Sequence, residues 1–140
     1  MMSVALIIAL GTILIVGPHI SAWNTKDHRD KIQITHPLPR SIITSPLLIE
    51  GMARGTWFFE ASFPVTITDW NGNIIGQGYT TTDGAEWMTE DFVPFSGIIM
   101  FDTQEIQGQY SQRGTLILHK ANASGLPEHA DALEIPILFE

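Results

Sequence analysis

The densest group of ionisable side chains in the sequence lies within nine residues. It holds four carboxylates: Asp83, Glu86, Glu90 and Asp91. Two carboxylates can act as an acid/base pair on a sugar when they lie about 5 to 9.5 Å apart, and Trp87 could stack on the sugar ring. Charge runs are more often solvated surface. We therefore favour an acidic loop across one end of the domain, with a glycan hydrolase as the alternative.

A second group of polar residues has the spacing of a calcium loop. Asp69, Asn71 and Asn73 alternate as the first ligands of an EF-hand do. A complete loop has Gly at its sixth position and Glu at its twelfth, and here those positions hold Ile74 and Thr80. Asn-Gly is also a strong hairpin signal. We therefore predict a turn at this point and no metal site.

Other catalytic and cofactor motifs are missing from the sequence. Five histidines share no metal-ligand spacing: His19, His28, His36, His119 and His129. No G-x-S-x-G motif supports a nucleophilic serine, and no glycine-rich loop joins a strand to a helix. The chain contains no cysteine, which excludes disulfides and thiol chemistry. We expect no enzyme activity, no catalytic residue and no cofactor.

Loop tryptophans are the remaining candidates for molecular recognition. Six other aromatic residues fall at strand positions predicted to face the core: Trp57, Phe59, Phe63, Phe95, Phe101 and Phe139. Trp70 in the hairpin tip and Trp87 in the acidic loop are harder to bury by pattern. Exposed tryptophans on the loops of a rigid scaffold are typical partner contacts, although they can also fold back over the sheet edge. The predicted partner-binding residues are Trp70, Asn71, Trp87 and Asp91.

The distribution of charge excludes one class of partner. Fifteen acidic residues and seven Lys and Arg give a net charge of −8, which argues against nucleic acid. From Gly55 onward only Arg113 and Lys120 oppose twelve acidic residues. The expected charged partner is therefore a basic protein surface or cations.

The N-terminal segment predicts the cellular location. Residues 1–23 carry no charge and, as a helix, would reach about 34 Å, which is enough to cross a membrane. We predict a single-pass helical anchor, or a signal segment if it is cleaved, followed by a polar linker at residues 24–31. The domain at residues 32–140 would then be extracytoplasmic, either held at the cell membrane or secreted.

The remainder of the chain has the alternation of short β-strands. Phe63, Val65 and Ile67 alternate with polar or turn-type residues, as do Leu133, Ile135 and Ile137 near the end. About seven such segments, separated by Gly, Pro and Asn, predict an all-β, two-sheet sandwich of immunoglobulin-like type.

Three segments together are similar to one known family: Ser45–Tyr79, Trp87–Phe101 and Gly114–Leu138. Their shared features are a Gly51…Arg54-Gly55…Trp57 turn, an Asp69-x-Asn71-Gly72 hairpin and a closing Gly125-Leu126-Pro127 stretch. The chain resembles the immunoglobulin-like domain of bacterial spore germination over most of its length outside the anchor. This resemblance implies a β-sandwich on the outer side of the membrane with no known catalytic residues.

The sequence therefore predicts a non-catalytic binding or assembly module at the bacterial cell membrane. It would recognise another envelope protein or a glycan through the 69–73 tip and the 81–92 loop. Two alternatives stay open: an envelope glycan hydrolase that uses the acidic loop, and a passive structural spacer without a ligand.

Overall fold

Alternation of apolar and polar side chains forms eight strands. They are β1 (Ile32–His36), β2 (Ile42–Ile43), β3 (Leu47–Arg54), β4 (Ser62–Thr68), β5 (Ile74–Thr82), β6 (Phe92–Ile99), β7 (Arg113–His119) and β8 (Ala132–Phe139). Short 3-10 turns follow β3 at Gly55–Trp57 and precede β8 at Pro127–His129. In β3, β4, β7 and β8 every second residue is buried, which is the pattern of a sheet with one face on a core.

The computed structural model describes residues 28–82, 84, 86–104 and 106–140. The predicted N-terminal helix at residues 1–23 and the start of the linker fall outside these ranges. Within them, no helix has the length and apolar character needed to span a membrane.

The strands form one continuous sheet in the order β1-β3-β6-β5-β4-β7-β8-β2. The all-β prediction is confirmed, but the described residues form one sheet where two separate sheets were predicted. Strand β5 pairs with β4 along its length and also with β6 through Thr81↔Ser96 and Thr82↔Phe95, so hydrogen bonds join the two halves. The structure has one strand more than the seven predicted. The additional strand is β2, which was not predicted because it has only two residues; they pair in parallel with the end of β8.

The core lies between the two halves of this curled sheet. Phe63 on β4 and Phe95 on β6 come from different halves, and their ring centroids lie 5.0 Å apart in an edge-to-face arrangement. Both side chains are fully buried, as are Ile49 on β3 and Leu116 on β7. Each such side chain contributes roughly 1.5–3 kcal/mol of burial energy.

Phe59 is the one aromatic residue of the predicted core that the structure places outside it. Its side chain is 48% exposed. Glu60 and Ala61 adopt φ values of 52° and 65°, and they form a tight turn in which the backbone groups of Phe59 and Ser62 exchange hydrogen bonds. The strand therefore starts at Ser62. The turn was not predicted because it lacks the Gly or Asn that usually marks such a conformation.

Strand direction separates the loops into two groups, which we name the proximal and distal ends. The proximal end contains the start of β1 at Ile32, the turn at 55–61 and the loop residues 86–91. The distal end contains the segments 37–41, 69–73, 100–104 and 106–112. β4 runs toward the distal end and β5 returns over nine residues, about 30 Å of extended chain. The two loops predicted to bind a partner therefore lie at opposite ends.

Candidate functional site

The hairpin tip between β4 and β5 is built around Asp69. Its Oδ1 accepts hydrogen bonds from the backbone N–H groups of Asn71 and Asn73 at 2.9 and 2.8 Å, and its Oδ2 accepts one from Nδ2 of Asn73 at 3.3 Å. Gly72 adopts a φ of 85°, which suits glycine in a tight turn. Asp69 thus fixes the tip from inside, and Trp70 and Asn71 are exposed at its end.

The carboxylate of Asp69 has a structural role and is not arranged as a calcium ligand. Burial opposes its ionisation, but hydrogen bonds from Gln109, Asn73 and Asn71 outweigh that effect and lower its pKa below 3.8. Both carboxylate oxygens already accept hydrogen bonds from protein donors. No group of three His, Asp or Glu side chains that could hold a metal ion occurs among the described residues.

A hydrogen bond from Gln109 brings a second aromatic residue to the tip. Nε2 of Gln109 donates to Oδ2 of Asp69 at 3.0 Å. The next residue, Tyr110, has its ring centroid 6.2 Å from that of Trp70, with the planes tilted by 46°. Trp70 is 47% exposed and Tyr110 is 93% exposed. The rings do not stack face to face, and both keep exposed surface that a ligand could contact.

A surface groove of about 510 Å³ lies beside Trp70. Strands β7 and β8 form its floor, and the lining includes Arg40, Trp70, Arg113, Thr115, Pro136 and Leu138. Gly114 lies in this floor where a Cβ atom would overlap the carbonyl oxygen of Thr68 and the ring of Phe139. The groove therefore combines an apolar floor with aromatic and cationic side chains.

Two arginines line this groove, and both are exposed. The backbone places Arg40 with a φ of 65°, and its N–H donates to the carbonyl oxygen of Pro136 at 2.7 Å. Arg113 begins β7, opposite Leu138. Within the described part of the chain, neither guanidinium has an ion pair or hydrogen bond.

The proximal loop is held down by Arg54. Its guanidinium lies 4.1 Å from the centre of the Phe92 ring and donates to the carbonyl oxygen of Glu90 at 3.2 Å. Trp87 is half-buried and packs against the core. Asp91 is exposed, and its carbonyl oxygen accepts the N–H of Gly55 at 3.1 Å. This arrangement anchors the acidic loop to the sheet and leaves little of Trp87 for a partner.

The predicted site residues thus form two separate pairs. Trp70 and Asn71 share the distal tip, whereas Trp87 and Asp91 lie at the proximal end. Of the four residues in the acidic group, Glu86 and Glu90 are exposed like Asp91, and Asp83 lies outside the described residues. Sequence reasoning missed Tyr110 and Arg40. Arg113 could have been identified from the sequence, because it is one of only two Lys or Arg residues after Gly55, in a region with twelve acidic residues.

The fold defines an all-β domain with its candidate recognition surface on loops at one end. The family described as the immunoglobulin-like domain of bacterial spore germination matches residues 31–114, which is more than half of the chain. The chain belongs to this family, which confirms the predicted resemblance for the segments Ser45–Tyr79 and Trp87–Phe101. The match ends at Gly114, so it does not test the third predicted segment, Gly114–Leu138. No curated protein and no solved structure matches the chain. Membership of this family indicates a binding or structural module.

Proposed function

We propose that this chain is a non-catalytic extracytoplasmic module that recognises another envelope protein or a glycan through its distal groove. The observation that carries the proposal is the pairing of Trp70 with Tyr110, two exposed aromatic rings beside a groove that also contains Arg40 and Arg113. Monomeric proteins expose large aromatic side chains together mainly at binding sites. Trp, Tyr and Arg are also the residues that dominate binding energy at interfaces.

The N-terminal segment supports an extracytoplasmic location. Residues 1–23 carry no charge and are numerous enough, as a helix, to cross a membrane. Residues 24–31 would link this anchor to the domain, whose first strand starts at Ile32.

The recognition mechanism depends on rigidity more than on movement. Strand β7 pairs with β8 along the floor of the groove and with β4 from Thr115 onward, and Asp69 fixes the tip through its hydrogen bonds. Side chains on such a rigid support lose little conformational freedom on binding. The acidic-loop hydrolase has weaker support, because the groove lies at the opposite end of the sheet from Glu86 and Glu90.

A pair of single-cysteine variants tests both location and recognition. The chain has no cysteine, so Gln107→Cys and Met88→Cys each introduce one unique thiol. Gln107 is exposed three residues before Tyr110 at the distal end, and Met88 is 70% exposed at the proximal end. A membrane-impermeant maleimide should label both variants of the full-length chain in intact cells. Labelling that requires cell lysis would contradict the extracytoplasmic location.

The same two thiols can carry a photoreactive crosslinker. We expect the probe at residue 107 to yield a discrete adduct with an envelope protein or glycan, and the probe at residue 88 to yield much less of it. An adduct that forms equally from both positions, or from residue 88 alone, would contradict recognition through the distal groove.

A further inference from the structure

We infer that the distal groove binds a glycan unit that carries a carboxylate group. The guanidinium groups of Arg40 and Arg113 would hold the carboxylate, and a sugar ring would lie against Trp70 and Tyr110. This inference rests on the proposed function and adds the chemical class of the ligand.

The aromatic pair suits a sugar ring. The planes of Trp70 and Tyr110 are tilted by 46° with centroids 6.2 Å apart, so the rings are not stacked on each other, and both keep exposed surface. Sugar rings present C–H groups on their faces, and aromatic faces carry partial negative charge that attracts such groups. The apolar floor at Pro136 and Leu138 would cover the remaining C–H surface.

The two arginines indicate an anionic group on that sugar. The groove holds Arg40 and Arg113 without ion-pair partners among the described residues, in a chain whose net charge is −8. The one acidic residue of its lining, Asp69, is buried and accepts hydrogen bonds from the hairpin backbone and Gln109. Arginine guanidinium groups bind carboxylates through paired, charge-assisted hydrogen bonds.

The backbone around the groove favours a glycan over an extended peptide. Peptides commonly bind by adding a strand to a free sheet edge. Here the carbonyl oxygen of Pro136 accepts from Arg40, and the N–H of Leu138 donates to Ser41 at 2.9 Å. Strand β7 pairs with β8 from Arg113 onward and with β4 from Thr115 onward. On β7, only Arg113 and Gly114 therefore lie beyond the pairing with β4, which is too short an edge for an added strand.

The charge of the domain favours carboxylate over phosphate. A carboxylate carries one negative charge, whereas a phosphate monoester carries about 1.5 to 2 at pH 7. The twelve acidic residues after Gly55 therefore repel a phosphate group more strongly than a carboxylate. Each of the two arginines can balance one carboxylate.

Binding of defined saccharides to the full-length chain in detergent tests this inference. The probe is trigalacturonate, which carries one carboxylate per ring, and the comparisons are an uncharged trisaccharide, glucose 6-phosphate and a short poly-glutamate peptide. We expect saturable binding of trigalacturonate, at least roughly tenfold tighter than each comparison ligand.

Arg113→Gln and Trp70→Ala should each weaken the binding of trigalacturonate roughly tenfold. Lys120→Gln, which removes a cation at the proximal end, should leave it unchanged. Circular dichroism confirms that each variant is folded, and Trp70→Phe serves as the milder substitution.

Four outcomes would overturn the inference. If the uncharged trisaccharide bound as tightly as trigalacturonate, the arginines would not be recognising a carboxylate. Tighter binding of glucose 6-phosphate would assign a phosphate ligand, and tighter binding of poly-glutamate would assign an acidic peptide. Binding of none of these ligands would refute an acidic glycan, yet the proposed function would still stand if the probe at residue 107 gave its adduct.

Discussion

The side-chain amide of Gln109 donates a 3.0 Å hydrogen bond to the carboxylate of Asp69, across 40 residues of sequence. Each of these residues is followed by an aromatic one, so the bond sets Trp70 beside Tyr110. The aromatic pair of the distal end therefore depends on a polar contact that neither aromatic residue makes itself.

Removal of this contact should affect both stability and binding. Gln109→Leu leaves Oδ2 of Asp69 with one fewer donor, and we expect a loss of about 1–2 kcal/mol in the free energy of unfolding. Denaturant titration measures that loss. Partner binding should also weaken, although Trp70 and Tyr110 are unchanged. As a control, Gln107→Leu alters an exposed neighbour and should change neither quantity. Equal binding by Gln109→Leu and the unaltered chain would show that the bond does not position the rings.

The acid stability of the domain should depend on Asp69. Its pKa in the folded chain is below the ordinary value of 3.8, so the ionised form stabilises the fold. This contribution is complete above pH about 5 and is lost as the pH falls through the lowered pKa. Asp69→Asn should therefore flatten the decrease in unfolding free energy between pH 5 and pH 2, roughly the range in which aspartate titrates. Glu60→Gln, at an exposed position, is the control. Parallel pH curves for Asp69→Asn and the unaltered chain would refute this role.

Thr80 offers a stabilising substitution. It is fully buried on β5, and its hydroxyl has no hydrogen-bond partner among the described residues. Thr80→Val replaces this hydroxyl with a methyl group of similar shape, so we expect about 1 kcal/mol of added stability. Thermal unfolding should shift upward by about 4 °C. Thr81→Val, on the exposed side of the same strand, is the matched control. A lower melting temperature for Thr80→Val would show that the hydroxyl is hydrogen-bonded in solution.

Gly55 holds the proximal loop against the sheet. A Cβ atom at this position would overlap the carbonyl oxygens of Trp87 and Thr89. Gly55→Ala should therefore cost about 2–4 kcal/mol and loosen Trp87, which tryptophan fluorescence can report. Gly125→Ala provides the comparison, because φ is 71° there and the added methyl group meets open space. That variant should cost about 1 kcal/mol. Equal losses for the two variants would contradict the close packing of the loop.

The sequence predicted the features of the domain that depend on local pattern. Alternation indicated the strands, and Asp69 with Asn71 and Gly72 indicated the hairpin tip, which the structure contains. The turn at Glu60 and Ala61 was missed because neither residue type normally favours positive φ. The contact between Trp70 and Tyr110 could not be predicted, since it results from a long-range bond between Asp69 and Gln109.

Net charge describes the whole chain and does not determine the local electrostatics of the groove. The excess of acidic residues predicted a basic partner or cations. At the distal end, however, Arg40 and Arg113 come from distant parts of the chain and line one groove. The sequence alone does not indicate that these two arginines lie near one another. They come together because β8 pairs with β7, which begins at Arg113, and with β2, which follows Arg40.

The central claim is that the distal aromatic pair carries recognition. The most direct test measures how much solubilised cell-envelope material is retained by the immobilised full-length chain. Trp70→Ala should reduce retention of its specific component by roughly tenfold or more. Met88→Ala at the proximal end and Tyr79→Ala on the outer face of β5 should retain it fully. Full retention by a folded Trp70→Ala variant, together with loss in Met88→Ala, would contradict the account and assign recognition to the proximal end.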